Sequence, residues 1–277
     1  MRLGVNASFV GRMPVKELAR KISDKGFDNV QLSLSDAISD IDTDLGRLSP
    51  GMANYIGEVF YKQGIQIAVL ECFVNPVLPD ESIRRRQLDI VKDRIRLARD
   101  FGCSVVSTET GSLNADFSYN KENRSERTFQ ILLQSLDEIV NEAEKYGVMV
   151  CIEECSSFVA HNPEKIKRIL DEIDSGNLQV LFDPVDLLID CYKDHEQDIQ
   201  QSFELFGDRI MAVHAKDFTV ENNCFKMVQA GKGMLDYSLL FNLLKERKPY
   251  INIIMEETSM ETIDEGIRFL KDAYQRA

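Results

Sequence analysis

Short apolar runs alternate along this chain with longer stretches whose apolar residues recur at helical spacing. Apolar runs bounded by polar loops read as buried strands. The pattern predicts strands at RLGVNAS, FDNVQLSLSD, IQIAVLECFVN, CSVVSTETG, VMVCIEE (Val148 to Glu154), QVLFDP (Gln179 to Pro184), IMAVHAKD (Ile210 to Asp217) and INIIMEE (Ile251 to Glu257). Between them it predicts helices from Pro14 to Gly26, over SPGMANYIGEVFYKQG, over PDESIRRRQLDIVKDRIRLARDFGC and from Glu126 to Gly147. Further helices begin at Pro163, Tyr192, Asp236 and Glu261, the Tyr192 helix running to Gly207. Pro at helix starts and Gly at their ends sharpen several of these boundaries. Asp36 to Leu48 and NADFSYNKENRS are polar and read as loops, the first lying over the strand ends.

Eight strand–helix units of roughly 30–35 residues suit an α/β fold of the (β/α)8 TIM-barrel type. No linker, low-complexity segment or strong repeat interrupts the 277 residues, so residues 1–277 read as one domain. A doubly wound sheet is the alternative, but it does not readily bring the ends of strands five to eight around one point.

Successive strand side chains point to opposite sides. In the last run Ile251, Ile253 and Met255 share a face, opposite Asn252, Ile254 and Glu256. Leu178, Val180 and Phe182 likewise oppose Gln179, Leu181 and Asp183. The wholly apolar faces should meet helices. The same count groups Met149, Cys151 and Glu153, and Ile210, Ala212 and His214. Four strand ends therefore offer Glu153, Asp183, His214 and Glu256 to one interior. Three carboxylates and one imidazole suit a single divalent cation, Mn2+ foremost, with Mg2+, Co2+ or Zn2+ as alternatives.

Composition narrows the partners. A formal net charge of −13 disfavours nucleic acid and anionic membranes. No apolar stretch approaches the ~20 residues that span a bilayer. The N-terminal MRLGVNASFVGRM lacks a signal-peptide core, and six scattered Cys without a CxxC fit reduced thiols in the cytoplasm. A small anionic substrate stays compatible, because a local group of cations can bind one.

The run of IEE, FDPVDLL, VHAKD, GKGMLDY and IIMEET, with FVNPVLPDESIRRRQ and STETGS upstream, resembles the xylose isomerase-like TIM barrels that act as sugar phosphate isomerases and epimerases. The resemblance covers nearly the whole chain. It implies one divalent metal held by a Glu, an Asp, a His and a Glu on the last four strands, here Glu153, Asp183, His214 and Glu256. The chain departs from many relatives at Asp186, where they place His or Asn, and at Asn75 to Leu78, where some carry a His.

Such a site supports proton transfer beside a carbonyl through a cis-enediolate. Glu153 and Glu256 flank the substrate as general base and general acid. Return of the proton to the neighbouring carbon isomerises an aldose to a ketose, and protonation from the opposite face epimerises. The substrate is then a small sugar or sugar phosphate, and a homo-oligomer is allowed. Arg84 and Arg85, with Arg86, lie at a helix start and offer an anion site, or simply a solvated helix face. His161, Asp186, Lys216 and Asp217 are the remaining substrate-contact candidates. Glu109 ends the fourth strand, either beside the site or within the wall. His195 reads as surface, and Gly231 and Gly233 as a turn carrying Lys232 towards the mouth.

Two other activities fit the same barrel. A metal-dependent dehydratase of a keto-polyol shares the first proton abstraction. A repair endonuclease resembling endonuclease IV would need many His ligands and a basic footprint, and this chain has three His.

Overall fold

The computed structural model describes residues 1–188, 195–222 and 224–277. In chain order the strands are β1 (Arg2–Asn6), β2 (Asn29–Ser33), β3 (Gln66–Cys72), β4 (Val105–Glu109), β5 (Met149–Glu153), β6 (Leu178–Phe182), β7 (Ile210–Glu221), β8 (Cys224–Gln229) and β9 (Asn252–Met255). The helices are α1 (Val15–Asp24), the single turn α2 (Leu34–Ala37), α3 (Pro50–Lys62), α4 (Glu81–Leu97), α5 (Glu126–Tyr146), α6 (Pro163–Ile173), α7 (His195–Phe206), α8 (Tyr237–Arg247) and α9 (Ile263–Arg276). The expected start of the seventh helix at Tyr192 lies outside the described residues.

β1 to β7 and β9 are parallel and close on themselves, with β6 paired to β7, β7 to β9 and β9 to β1. This is the closed eight-stranded TIM barrel. Helix starts follow local chemistry. Asp80 accepts from the Ser82 and Ile83 N–H groups at the head of α4, Asn162 caps α6 before Pro163, and Ser125 caps α5.

The register carries the alternation across strand boundaries. Glu109 lies beside Glu153, Cys151 beside Gln179, and His214 beside Ile254. The opposite faces, with Val150, Ile152, Val180, Phe182, Val213, Ile253 and Met255, are buried in the apolar layer shared with the helices. Inside the barrel Gly4 leaves room for Asn29, since a Cβ there would stand 2.0 Å from Asn29 Oδ1.

Two segments differ from the expectation. The polar stretch after β2 opens with α2 and is bridged at Ile38 to Met13, so it is tied to the segment after β1. Beyond Asp217, β7 continues to Glu221 and folds back as β8, its antiparallel partner. The sequence holds the signal for this hairpin: two β-forming runs, DFTVE and CFKMVQ, around Asn222, which sits at φ 51°.

Asp217 anchors the return of that hairpin. Its Oδ1 accepts from Phe218 N–H and Leu235 N–H, both at 2.9 Å. Its Oδ2 accepts from Gly231 N–H at 3.1 Å and Gly233 N–H at 3.0 Å. A side chain at Gly233 would collide with the Phe218 carbonyl, 2.2 Å from its Cβ. The residue offered as a substrate contact thus has both oxygens engaged by backbone. Lys232 pairs with Glu265 on α9 at 2.6 Å. Removing a buried acceptor strands its donors. Asp217→Ala should therefore lower the unfolding free energy by ~3 kcal/mol in urea titration; a loss well under ~1 kcal/mol would contradict the anchoring role.

Candidate metal and catalytic site

β7 delivers His214 and Lys216 to the C-terminal mouth of the barrel, two residues apart and so on one face. Both are buried, as are Glu153 at the end of β5, Asp183 just past β6 and Glu256 just past β9. His214 Nδ1 lies 2.9 Å from Glu153 Oε1 and 3.1 Å from Asp183 Oδ2. Its Nε2 lies 2.9 Å from Gln31 Oε1 and 3.5 Å from Glu256 Oε1. Lys216 Nζ reaches Asp183 Oδ2 at 2.7 Å, Asp186 Oδ1 at 2.8 Å and Glu256 Oε2 at 3.2 Å.

Local backbone fixes these groups. Asp183 Oδ1 accepts from Val185 N–H at 2.8 Å and Asp186 N–H at 3.1 Å, which leaves Oδ2 facing the site. After Glu256 the chain turns abruptly through Glu257, held at φ 47°. Asn6 Nδ2 donates to Glu256 Oε1 at 2.9 Å and to Glu71 Oε2 at 3.1 Å.

The charges shift one another strongly. Burial alone would neutralise His214, but Glu153 and Glu256 outweigh it and hold the ring's pKa well above its usual value. Lys216 is likewise raised, because Asp183, Asp186 and Glu256 overcome its desolvation. Asp183 resists burial through Lys216 and His214 and is pushed down. Burial and repulsion from Asp183 raise Asp186 to about 8. Burial, then Glu153, keeps Glu109 well above the usual carboxylate range. Burial, then Glu256 and Glu153, lifts Glu71 to about 7.

One ligand atom from each of Glu153, Asp183 and His214 lies within 4.8 Å of the others, a group able to hold a metal ion. The donor set passes a chemical test. With Gln31 Oε1 accepting from Nε2–H, Nδ1 turns its lone pair towards two carboxylates. A cation between them, a proton or a metal, satisfies that arrangement.

The sequence candidates separate in space. Glu153, Asp183, His214, Glu256, Asp186 and Lys216 come together. Arg84 and Arg85 do not join them: they line a groove between α4 and α5 with Ile131, Ser135 and Glu138. Arg84 donates to the Leu78 carbonyl and Arg85 pairs with Glu81 one helical turn away at 3.3 Å. His161 stands in the loop before α6, with Nδ1 3.0 Å from the Val159 carbonyl. Sequence reasoning missed Gln31 and Glu71 and left Asn6 without a role. The same alternation would have found them, since Asn29, Gln31 and Ser33 occupy one face of β2.

Comparison with known proteins agrees with this architecture. A family model described as xylose isomerase-like TIM barrel matches residues 19–273. An L-ribulose-5-phosphate 3-epimerase, UlaE, of Escherichia coli strain SMS-3-5 is 24% identical over 253 residues, covering 88% of this chain and 82% of that protein. The crystal structure of a D-tagatose 3-epimerase-like protein superposes with a TM-score of 0.79 at 21% identity, covering 100% of this chain and 98% of the other. The IOLI protein, solved with a zinc atom, gives a TM-score of 0.77 at 18% identity and covers 100% and 99% of the two chains.

Two outcomes follow from the site. Removing the tautomer-setting partner of a ligating His weakens metal binding by about 10–100-fold. Gln31→Ala should weaken Mn2+ binding by about that factor in calorimetry, and His214→Ala by more; unchanged affinity in His214→Ala would dismiss the site. Glu71 gives a pH signature in the metal-free protein. A carboxylate raised on folding contributes stability below its unfolded value near 4.5, lost as pH rises through about 7. Glu71→Gln should therefore gain ~2 kcal/mol on wild type between acid and pH 8, read by urea unfolding.

Proposed function

The chain belongs to the xylose isomerase-like TIM barrel family and is an enzyme of the sugar epimerase and isomerase kind; on that premise we propose that it moves the proton on the carbon beside the carbonyl of a ketose or ketose phosphate. Glu153, Asp183 and His214 would hold one divalent cation, with Glu256 completing the set, and Mn2+ fits it best, Mg2+, Co2+ and Zn2+ also suiting the donors. When bound, the cation supplies Lewis-acid polarisation of the carbonyl and its neighbouring hydroxyl. Everything else falls to the side chains.

The observation that carries this reading is the placement of two carboxylates at opposite ends of one imidazole. Glu153 meets His214 at Nδ1 and Glu256 stands by Nε2. A sugar seated over the ring would present one face to each. One group, ionised, takes the proton from carbon, and the other, starting as the protonated carboxylic acid, gives its proton to the opposite face, which inverts that centre and leaves the two protonation states exchanged. If a single carboxylate takes and returns the proton, the product is the aldose or ketose isomer instead. Lys216 reaches Asp183, Asp186 and Glu256 and holds all three in place. Asn6 holds Glu256 from the far side.

The chemistry needs neither nucleic acid nor a membrane, and no helix among the described residues is long and apolar enough to cross a bilayer. The cysteines among the described residues are free thiols, in keeping with a reducing cytoplasm.

The test uses deuterated solvent, saturating Mn2+ and a panel of ketoses and ketose phosphates, with deuterium sought at the carbon beside the carbonyl. Wild type should incorporate label. Glu153→Gln and Glu256→Gln should each lose turnover by about 10²–10⁴-fold. Label exchange without net conversion in one variant marks two-base epimerisation. Full activity in both would remove these carboxylates from the reaction.

A further inference from the structure

A cavity of about 240 Å3 opens at the ends of β2 and β3, lined by Ser33, Leu34, Asp36, Glu71, Phe73 and Arg94 among others. Glu71 belongs both to this cavity and to the site just described. Its Oε2 and Glu256 Oε1 accept from the same Asn6 nitrogen, at 3.1 and 2.9 Å. The cavity therefore adjoins the candidate site through Glu71 and Asn6.

Its walls have a definite chemistry. Asp36 Oδ2 accepts from Ser33 Oγ at 2.5 Å, which adds a second, solvent-exposed carboxylate to the lining that holds Glu71. Arg94 is already engaged: Nη1 pairs with Asp93 and Nη2 donates to the Thr43 carbonyl. Arg12 is exposed and donates Nε–H to the carbonyl of Ser35, 3.0 Å away. Phe73 is 56% exposed, and its ring centre lies 4.5 Å from that of Phe117, an apolar surface for the C–H face of a sugar.

We propose that this chamber takes the end of the sugar remote from the reacting carbons, and that Glu71 makes the protein select a neutral polyol end over a phosphate ester. The inference rests on the reaction proposed above and names the substrate class for that site. A hydroxyl donates to a carboxylate, whereas a phosphate at neutral pH offers only acceptors and negative charge. Beside Glu71 and the exposed Asp36, a phosphate meets like charge. Among the described residues of chamber and site, Arg94, His214 and Lys216 are each held by a carboxylate, and Arg12 lies outside the lining, on the exposed side of the Ser35 carbonyl. Arg84 and Arg85, the cations that the sequence offers for an anion, line the α4–α5 groove instead.

The experiment compares two unreactive probes, a pentitol and its 5-phosphate, binding to the full chain with Mn2+ at pH 8 and low salt, by calorimetry. The pentitol should bind tighter by about tenfold or more, and added salt should narrow the gap. Glu71→Gln should reduce the preference by about fivefold or more, while Glu71→Asp, which retains the charge, should keep it. Equal or tighter binding of the phosphate, an unchanged ratio in Glu71→Gln, or binding of neither probe would overturn the inference. Deuterium exchange into a free ketose is read separately. Exchange together with a phosphate preference sinks this inference and leaves the reaction standing. No exchange together with a pentitol preference sinks the reaction and leaves the selectivity.

Discussion

Charge balance at the mouth of the barrel constrains everything around it. His214 and Lys216 are buried side by side on β7, and each is surrounded by carboxylates from other strands. Removing one partner from such a group leaves an uncompensated buried charge, which is far more costly than losing a surface pair. The strands carrying Glu153, Asp183, His214 and Glu256 are successive neighbours in the barrel, β5–β6–β7–β9, and closure through β9–β1 brings Asn6 against Glu256 from the other side. The buried interior also holds neutral amides, Gln31 against His214 and Asn29 and Gln179 elsewhere in the barrel.

Much of this was legible from alternation alone. The barrel follows from eight strand–helix units, and four of its strands announce their inward residues by pairing an apolar face with one that ends in a charge. Glu153, Asp183, His214 and Glu256 meet because parallel neighbours keep their inward faces in register, as His214 beside Ile254 shows. Lys216 and Asp186 were visible as charged residues near strand ends. That they bind each other was not visible, because the contact depends on how the turn after Asp183 brings Asp186 back over β7.

The remainder was hidden for physical reasons. Gln31 and Asn6 are buried and Glu71 half-buried polar residues inside strands, and their value lies in partners 65 to 250 residues away. Arg84 and Arg85 look like an anion site in sequence, but helix rotation turns them into the α4–α5 groove. The β7–β8 hairpin escaped notice because its first strand continues a barrel strand without a break. Asp217 reads as a second charged site residue, yet neighbouring side chains on a strand face opposite ways. Lys216 looks inward, and Asp217 looks out to gather the backbone of the returning loop.

That outward carboxylate also divides the chain mechanically. Lys216 and Asp217 share a peptide bond, so the clamp on Gly231, Gly233 and Leu235 fixes the frame from which the lysine reaches inward. The hairpin beyond is closed by its own ladder, from Lys216–Gln229 to Glu221–Cys224. The tip near Asn222 lies five rungs along the ladder from Lys216, with the Asp217 clamp at the ladder's base. The fold thus contains a segment free to vary in evolution or by engineering, insulated from the active centre by one aspartate.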